Sequence, residues 1–343
     1  MTGTERFQAL MTGRVPDRVP VVCNLLDQGA RELGLKLEDY YARGEHVARG
    51  RLLSRQKYGY DTVVATFYAA MEAELLGCRN IVYAEEGPPN VGDLVIRTPD
   101  DIDKLQVPTD LRAHPRFREQ AECIRILKRE LNGEYPVVAV AVSSFSLPAI
   151  LMGISGWLEL LTCGTPASRK VLLEKCAQFC RLHITALREA GADLIIYTDS
   201  VATADVITRK QFQELALPAI QRDLDGLGTA DVVYFNGGGR INPHLETLMG
   251  QTSLRAFYIN PFDDVAEAKR ILGGRALLVA AINDIRLIDW TVDGINTEVR
   301  RIMESGKADG GFLFGTLMMP FAIPDSNIHA MIEAAHRYGS YAG

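Results

Sequence analysis

Several polar residues each stand directly after a short apolar run, and from these positions the chain could do chemistry. Asp199 closes DLIIYTDS and opens DSVATAD. A carboxylate there can hold a substrate cation, take a proton or orient a metal-bound water; the alternative is a cap on its own turn. Asn283 and Asp284 end RALLVAAIND in the same way, with Asp284 either pairing with an arginine or capping its loop. Asn236 follows DVVYF and precedes Gly237, Gly238, Gly239 and Arg240. Three glycines let backbone approach closely and present amide N–H groups to an anion, and a helix start near Pro243 adds positive potential. The tract lacks the lysine of a P-loop and the spacing of a dinucleotide fingerprint, so a carboxylate-binding turn is its sharper reading.

Further candidates occupy equivalent places. Asn24 and Asp27 follow the first apolar run, Tyr68 the second and Ser143 the third, Ser200 adjoins Asp199, and Tyr234 lies inside the fifth run. Glu72 and Glu74 are two apart, so on a helix at most one faces a pocket. His244 is the histidine that comes soon after a strand end. Asp199 and Asp284 are thus the catalytic candidates, and Asn24, Asp27, Tyr68, Glu72, Ser143, Ser200, Tyr234, Asn236, Asn283 and His244 the substrate-binding ones. No metal ligand is assigned: Cys176 and Cys180 have i, i+4 spacing but no second pair, which reads as core packing. Ser143 and Ser144 lack a nucleophile-elbow signature, which disfavours a serine hydrolase.

Eight apolar runs precede these residues: RVPVVCN, DTVVATFY, PVVAVAVSS, DLIIYTDS, DVVYFNGGG, LRAFYIN, RALLVAAIND and GGFLFGT. Most of the intervening segments read as helix, among them amphipathic 115–132, the long 167–190, 209–227 and the last, 325–338. Eight strand-then-helix units predict an α/β fold, a (β/α)₈ TIM barrel whose chemistry sits at the C-terminal strand ends. Strands are expected at Val19–Cys23, Thr62–Thr66, Val137–Val142, Leu194–Tyr197, Val232–Phe235, Ala256–Ile259, Leu277–Ala281 and Phe312–Phe314. Two β-like runs around Gly87-Pro88-Pro89 predict a hairpin inserted near residues 79–97. SLPAILMGISGWLELL is unusually apolar and reads as a buried helix or as a hydrophobic wall beside the pocket. No low-complexity linker divides the chain, so residues 1–343 are expected to form a single domain.

Composition narrows the function classes. The net charge of −6 disfavours a nucleic-acid partner, whose phosphates call for a basic surface. No apolar run approaches the ~18 residues that span a bilayer, and the N-terminus carries mixed charge without an apolar core. Six scattered cysteines make no disulfide framework. A cytoplasmic enzyme acting on a small molecule, away from membranes, is the expectation.

Several segments, taken in order, resemble the uroporphyrinogen decarboxylase superfamily: ERFQALMTGRVPDRVPV, GYDTVVATFYAAMEAELLGC, IRTPDDIDKL, EAGADLIIYTDSVA, LLVAAINDIRLI and PDSNIHAMIEAA. The resemblance covers almost the whole chain and implies a (β/α)₈ barrel, a homodimer and a deep cleft. Its decarboxylase branch uses an arginine-rich first loop, an aspartate after strand two and a late histidine. Here that loop keeps only Arg31, Tyr68 stands at the aspartate position, and GTLMMP replaces the segment with the histidine. A substrate with eight carboxylates needs cationic partners. The other branch, to which MEAELLG is closer, comprises methyltransferases that work with a methylated corrinoid (cobalamin) protein. Its zinc is bound by a His-x-Cys after strand five and a late Cys. Tyr234, Asn236 and Leu317-Met318 stand there instead, so the usual zinc site is expected to be absent. The resemblance therefore implies a methyltransferase acting with a corrinoid protein partner and a small-molecule substrate. Tetrapyrrole decarboxylation is the alternative, and a non-catalytic corrinoid- or tetrapyrrole-binding protein a second one.

Overall fold

The computed structural model describes residues 1–341. Its main sheet has eight parallel strands: β1 (Val21–Val22), β2 (Val63–Val64), β3 (Val137–Val142), β4 (Leu194–Thr198), β5 (Val232–Phe235), β6 (Ala256–Ile259), β7 (Leu277–Ile282) and β8 (Phe312–Thr316). Their order, β1-β8-β7-β6-β5-β4-β3-β2, curls the sheet into the barrel that the apolar runs predict. The strands are Val-, Ile- and Leu-rich because helices cover them outside and side chains fill them inside. Val22, Tyr258, Val279 and Leu313 pack within the lumen, with Val64, Val138 and Ile196 in an adjoining cluster. Phe7, on the N-terminal helix Gly3–Met11, packs onto the first cluster from below.

β1 and β2 come out shorter than the sequence suggests, and the reason is the seam between them. Each pairs along one side only, β1 with β8 and β2 with β3. Two buried charged side chains hold the seam instead of a ladder. At its lower end Asp61 accepts the Val21 N–H at 2.8 Å, and the Asp61 N–H donates to Val21 O at 2.9 Å. Arg6 and Arg18 donate to the Asp61 carboxylate at 3.0 and 2.6 Å. At the upper end the Arg51 guanidinium donates to the carbonyls of Leu25 and Leu26 beyond β1, and to Thr66 O beyond β2 at 3.0 Å.

The inserted hairpin is present, Ile81–Val82 pairing antiparallel with Asn90–Val91. The 209–227 helix is not continuous. Phe212–Ala216 forms a π turn before Leu217–Leu224. Pro218 has no N–H to give the carbonyl four residues back, and the ladder widens there. SLPAILMGISGW is both things the sequence allows. Its helix, Leu147–Cys163, breaks at Gly153, whose φ of 78° a side chain would disfavour. The turn before the break faces the cleft, whereas Trp157 beyond it is fully buried. Among the described residues no helix is long and apolar enough to cross a membrane.

Candidate active site

A cleft of about 410 Å³ opens at the C-terminal ends of the strands. Asn24, Tyr68, Glu72, Ser200 and Asp284 from the sequence candidates line it, together with Gln120, Ser146, His183, Phe235 and Met318, which sequence reasoning missed. Glu72 faces in while Glu74 turns away, as their spacing demands. Glu74 takes the Tyr68 hydroxyl and pairs with Arg116 at 3.3 Å. Burial, with Glu74 beside it, pushes the Tyr68 hydroxyl far up, so it stays protonated.

Asp199 lies under the cleft floor rather than in it. It is fully buried and accepts from Ser143 Oγ at 2.7 Å, Ser146 Oγ at 2.5 Å and Tyr234 OH at 3.4 Å. Burial raises its pKa to about 6 against the opposing pull of these donors. Of this group Ser146 lines the cleft, so Asp199 meets the cleft only through that hydroxyl. Beside it, Asp223 accepts Tyr197 OH at 2.6 Å and the Ser144 N–H at 2.8 Å, and burial raises it to about 6. Its signal in the sequence was an aspartate on an otherwise apolar helix face, between Ile220 and Leu224.

Asp284 is different. It is 1% exposed and lines the cleft, and its Oδ2 has no partner among the described residues. Burial pushes its pKa up to about 7, offset in part by its own N–H and that of Ile285. A carboxyl group that changes charge near neutrality, at a cleft wall, is suited to proton transfer or to meeting a cation.

At the inner end, Glu72 Oε1 accepts the Val142 N–H at 2.8 Å and lies 3.2 Å from His183 Nδ1, close enough for an ion pair but misaligned for a hydrogen bond. Glu72 Oε2, His183 Nε2 and both amide atoms of Gln120 are buried without partners among the described residues.

The other candidates stand elsewhere. Asp27 holds Tyr41 OH at 2.6 Å, and Asn283 Oδ1 accepts the Arg286 N–H at 3.3 Å, a loop cap. His244 stacks on Phe212 with centroids 3.8 Å apart, away from the cleft lining, and burial lowers its pKa to about 4. In the glycine tract, Gly237 lines the cleft, while the Gly238 N–H turns back to Asn236 O. Gly239 N–H donates to Asn236 Oδ1 at 3.1 Å, and Arg240 pairs with Asp205 at 2.5 Å. Small residues are needed there for packing: a Cβ at Gly238 would lie 2.1 Å from Ser200 O. Arg31 pairs with Asp325 at 2.7 Å and is absent from the lining.

The positions where the resemblance implies zinc do not fit a zinc ion. Tyr234 spends its hydroxyl on Asp199, Asn236 spends its oxygen on Gly239, and Leu317 and Met318 offer no thiolate. Among the described residues no group of three His, Cys, Asp or Glu is placed to hold a metal. Cys176 and Cys180 are buried with thiols pushed well up by burial, consistent with core packing.

Comparison with known proteins defines the class. The uroporphyrinogen decarboxylase (URO-D) family matches residues 2–338, and the chain belongs to it. Among similar proteins, methylcobamide:CoM methyltransferase MtaA of Methanosarcina barkeri is 24% identical over 307 residues, 88% of each chain. Methylcobamide:CoM methyltransferase MtbA of Methanosarcina mazei is 23% identical over 98% of each. The uroporphyrinogen decarboxylase of Geotalea uraniireducens is 25% identical over 73% of each. A solved methyltransferase from Methanosarcina mazei superposes with a TM-score of 0.84 at 20% identity, over 98% of this chain and 99% of that one. These relatives are enzymes, methyltransferases and decarboxylases.

Proposed function

We propose that this protein is a corrinoid-linked methyltransferase that works without the His-x-Cys zinc site. One observation carries the reading: among the described residues no lysine or arginine lines the cleft. A tetrapyrrole with eight carboxylates would find Glu72 and Asp284 there and no guanidinium or ammonium group, which sets the decarboxylase reading second. Exposed apolar side chains on the strand-end side favour a protein partner. Ile285 and Met318 line the cleft and are exposed, and Ile154, Val206 and Phe262, the last 70% exposed, come from other segments that follow strand ends. Such side chains suit docking of a partner that carries the corrinoid.

The corrinoid, when bound, supplies or receives the methyl group at cobalt. The chain's own contribution is alignment, which for a displacement accounts for much of the rate. Ser146, held by Asp199 and Val201, fixes the floor. Asp284 takes or gives the proton that the acceptor loses or the leaving group needs. Tyr68 and Phe235 wall the cleft and keep water from it. The family resemblance extends the proposal to a cytoplasmic homodimer.

Mixing the chain with methylcobalamin or a methylated corrinoid protein, and following the cobalamin absorbance, tests this. A chain-dependent loss of the methylcobalamin spectrum with a thiol or amine acceptor supports it. Turnover of uroporphyrinogen with no effect on any methylcorrinoid sinks it.

A further inference from the structure

We infer that the small molecule taken by this cleft is a protonated amine, its N–H donors met by Glu72, Gln120 and Asp284. The inference deepens the proposed function, on which it rests for the cleft being the substrate site.

The first argument is hydrogen-bond accounting. Buried polar atoms are nearly always paired, because leaving one dry and unpaired costs the full desolvation of that atom. Five side chains that line the cleft break this rule together. Glu72, Gln120, His183 and Asp284 are 4% exposed or less and Asn24 is 7% exposed. Glu72 Oε2, Gln120 Oε1, Asp284 Oδ2 and Asn24 Oδ1 have no donor among the described residues. These four vacant acceptors outnumber the vacant donors, which are Gln120 Nε2 and the His183 ring, so the cleft calls for a ligand richer in N–H or O–H groups than in acceptors.

The second argument is charge. Among the described residues the lining holds two carboxyl groups, Glu72 and Asp284, and no lysine or arginine. Asp199 and Asp223 lie close behind, Asp199 supplied with donors on both oxygens and Asp223 with Tyr197 OH and the Ser144 N–H on one. His183 is the one lining side chain that can carry positive charge, and it faces Glu72 at 3.2 Å. A sulfonate or carboxylate ligand would be desolvated against Glu72 and would oppose ionisation of Asp284, whereas an ammonium group favours the charged form of both and fills the vacant acceptors with the same atoms. Neutral alcohols satisfy the acceptors but leave the charge. The mouth, with Ala149, Ile150 and Phe235, receives the apolar end.

Three thiols that share a two-carbon chain isolate the head group: 2-aminoethanethiol, 2-mercaptoethanol and 2-mercaptoethanesulfonate. Binding of each to the full chain is measured at pH 7.5 and low ionic strength by ligand-detected NMR. The amine should bind about tenfold tighter than the alcohol, with the sulfonate weakest. Glu72→Gln and Asp284→Asn should each reduce the amine's advantage. A sulfonate that binds as well as the amine, an alcohol that equals it, or an advantage unchanged in both variants overturns the inference. The wild-type comparison stands even if a variant fails to fold. No corrinoid enters this measurement, so amine preference here combined with no methyl transfer in the cobalamin assay would sink the methyltransferase reading alone.

Discussion

Ser146 donates its hydroxyl to Asp199 at 2.5 Å, and the same oxygen accepts the Val201 N–H at 2.9 Å. One hydroxyl thus ties the helix start after β3 to the loop after β4. Ser146→Ala leaves a buried N–H unpaired and Asp199 short of a donor. It should cost about 1–3 kcal/mol in denaturant unfolding. Asp199→Asn faces its amide N–H₂ toward hydroxyl donors and should cost a similar amount. The double variant should lose less than the sum, because the two changes break one network. Full additivity would contradict the shared role.

Asp284 makes stability fall as pH rises. Its folded pKa of about 7 lies above the ordinary 3.8, so the folded state holds a proton that the unfolded state has released between those values. The stability contributed by the protonated form is present below pH 4 and is lost as pH climbs through 7. Asp284→Asn removes that loss. Its unfolding free energy should exceed that of the wild type by about 4 kcal/mol at pH 8 and match it near pH 4. Parallel slopes for the two proteins across this range would refute the assignment.

Gly238→Ala places a methyl group against Ser200 O, where backbone stands at 2.1 Å. Overpacking of this kind costs about 1–3 kcal/mol. The loop after β4 must shift, so methyl transfer should fall along with the melting temperature. Normal activity at a normal melting temperature would mean the loop yields freely.

His244→Phe should keep the ring stack on Phe212 and leave methyl transfer unchanged, since His244 does not line the cleft. Burial holds its folded pKa near 4 rather than 6.5, so the neutral ring's stabilisation is lost as pH falls from 6.5 through 4. The variant should therefore lose less stability on acidification over that interval.

The barrel was legible because parallel strands buried on both faces must be continuous apolar runs, and β3, β5 and β6 fall at the residues expected. Residues just beyond strand ends were likewise identifiable as cleft candidates: Asn24, Tyr68, Ser200 and Asp284 line it. Gln120 and His183 were not, because they sit on helices that precede β3 and β4 and reach the cleft from outside the strand ring. Spacing along one element carries no trace of such an approach. Asp199 was found but misplaced by one layer. A strand-end position gives a residue's height in the barrel, while three hydroxyl donors turn its carboxylate beneath the floor.

The seam between β1 and β2 has a consequence for how closure is encoded. Seven strand pairs in this sheet are joined by backbone ladders, which nearly any side chain permits. The eighth junction is fastened by Asp61 below and Arg51 above. A ladder is insensitive to point substitution, whereas a fastening made of two side chains is not. In this barrel, the last junction therefore depends on the identity of a few side chains, Asp61 and Arg51 foremost, and Asn24 and Tyr68 of the cleft stand on either side of it.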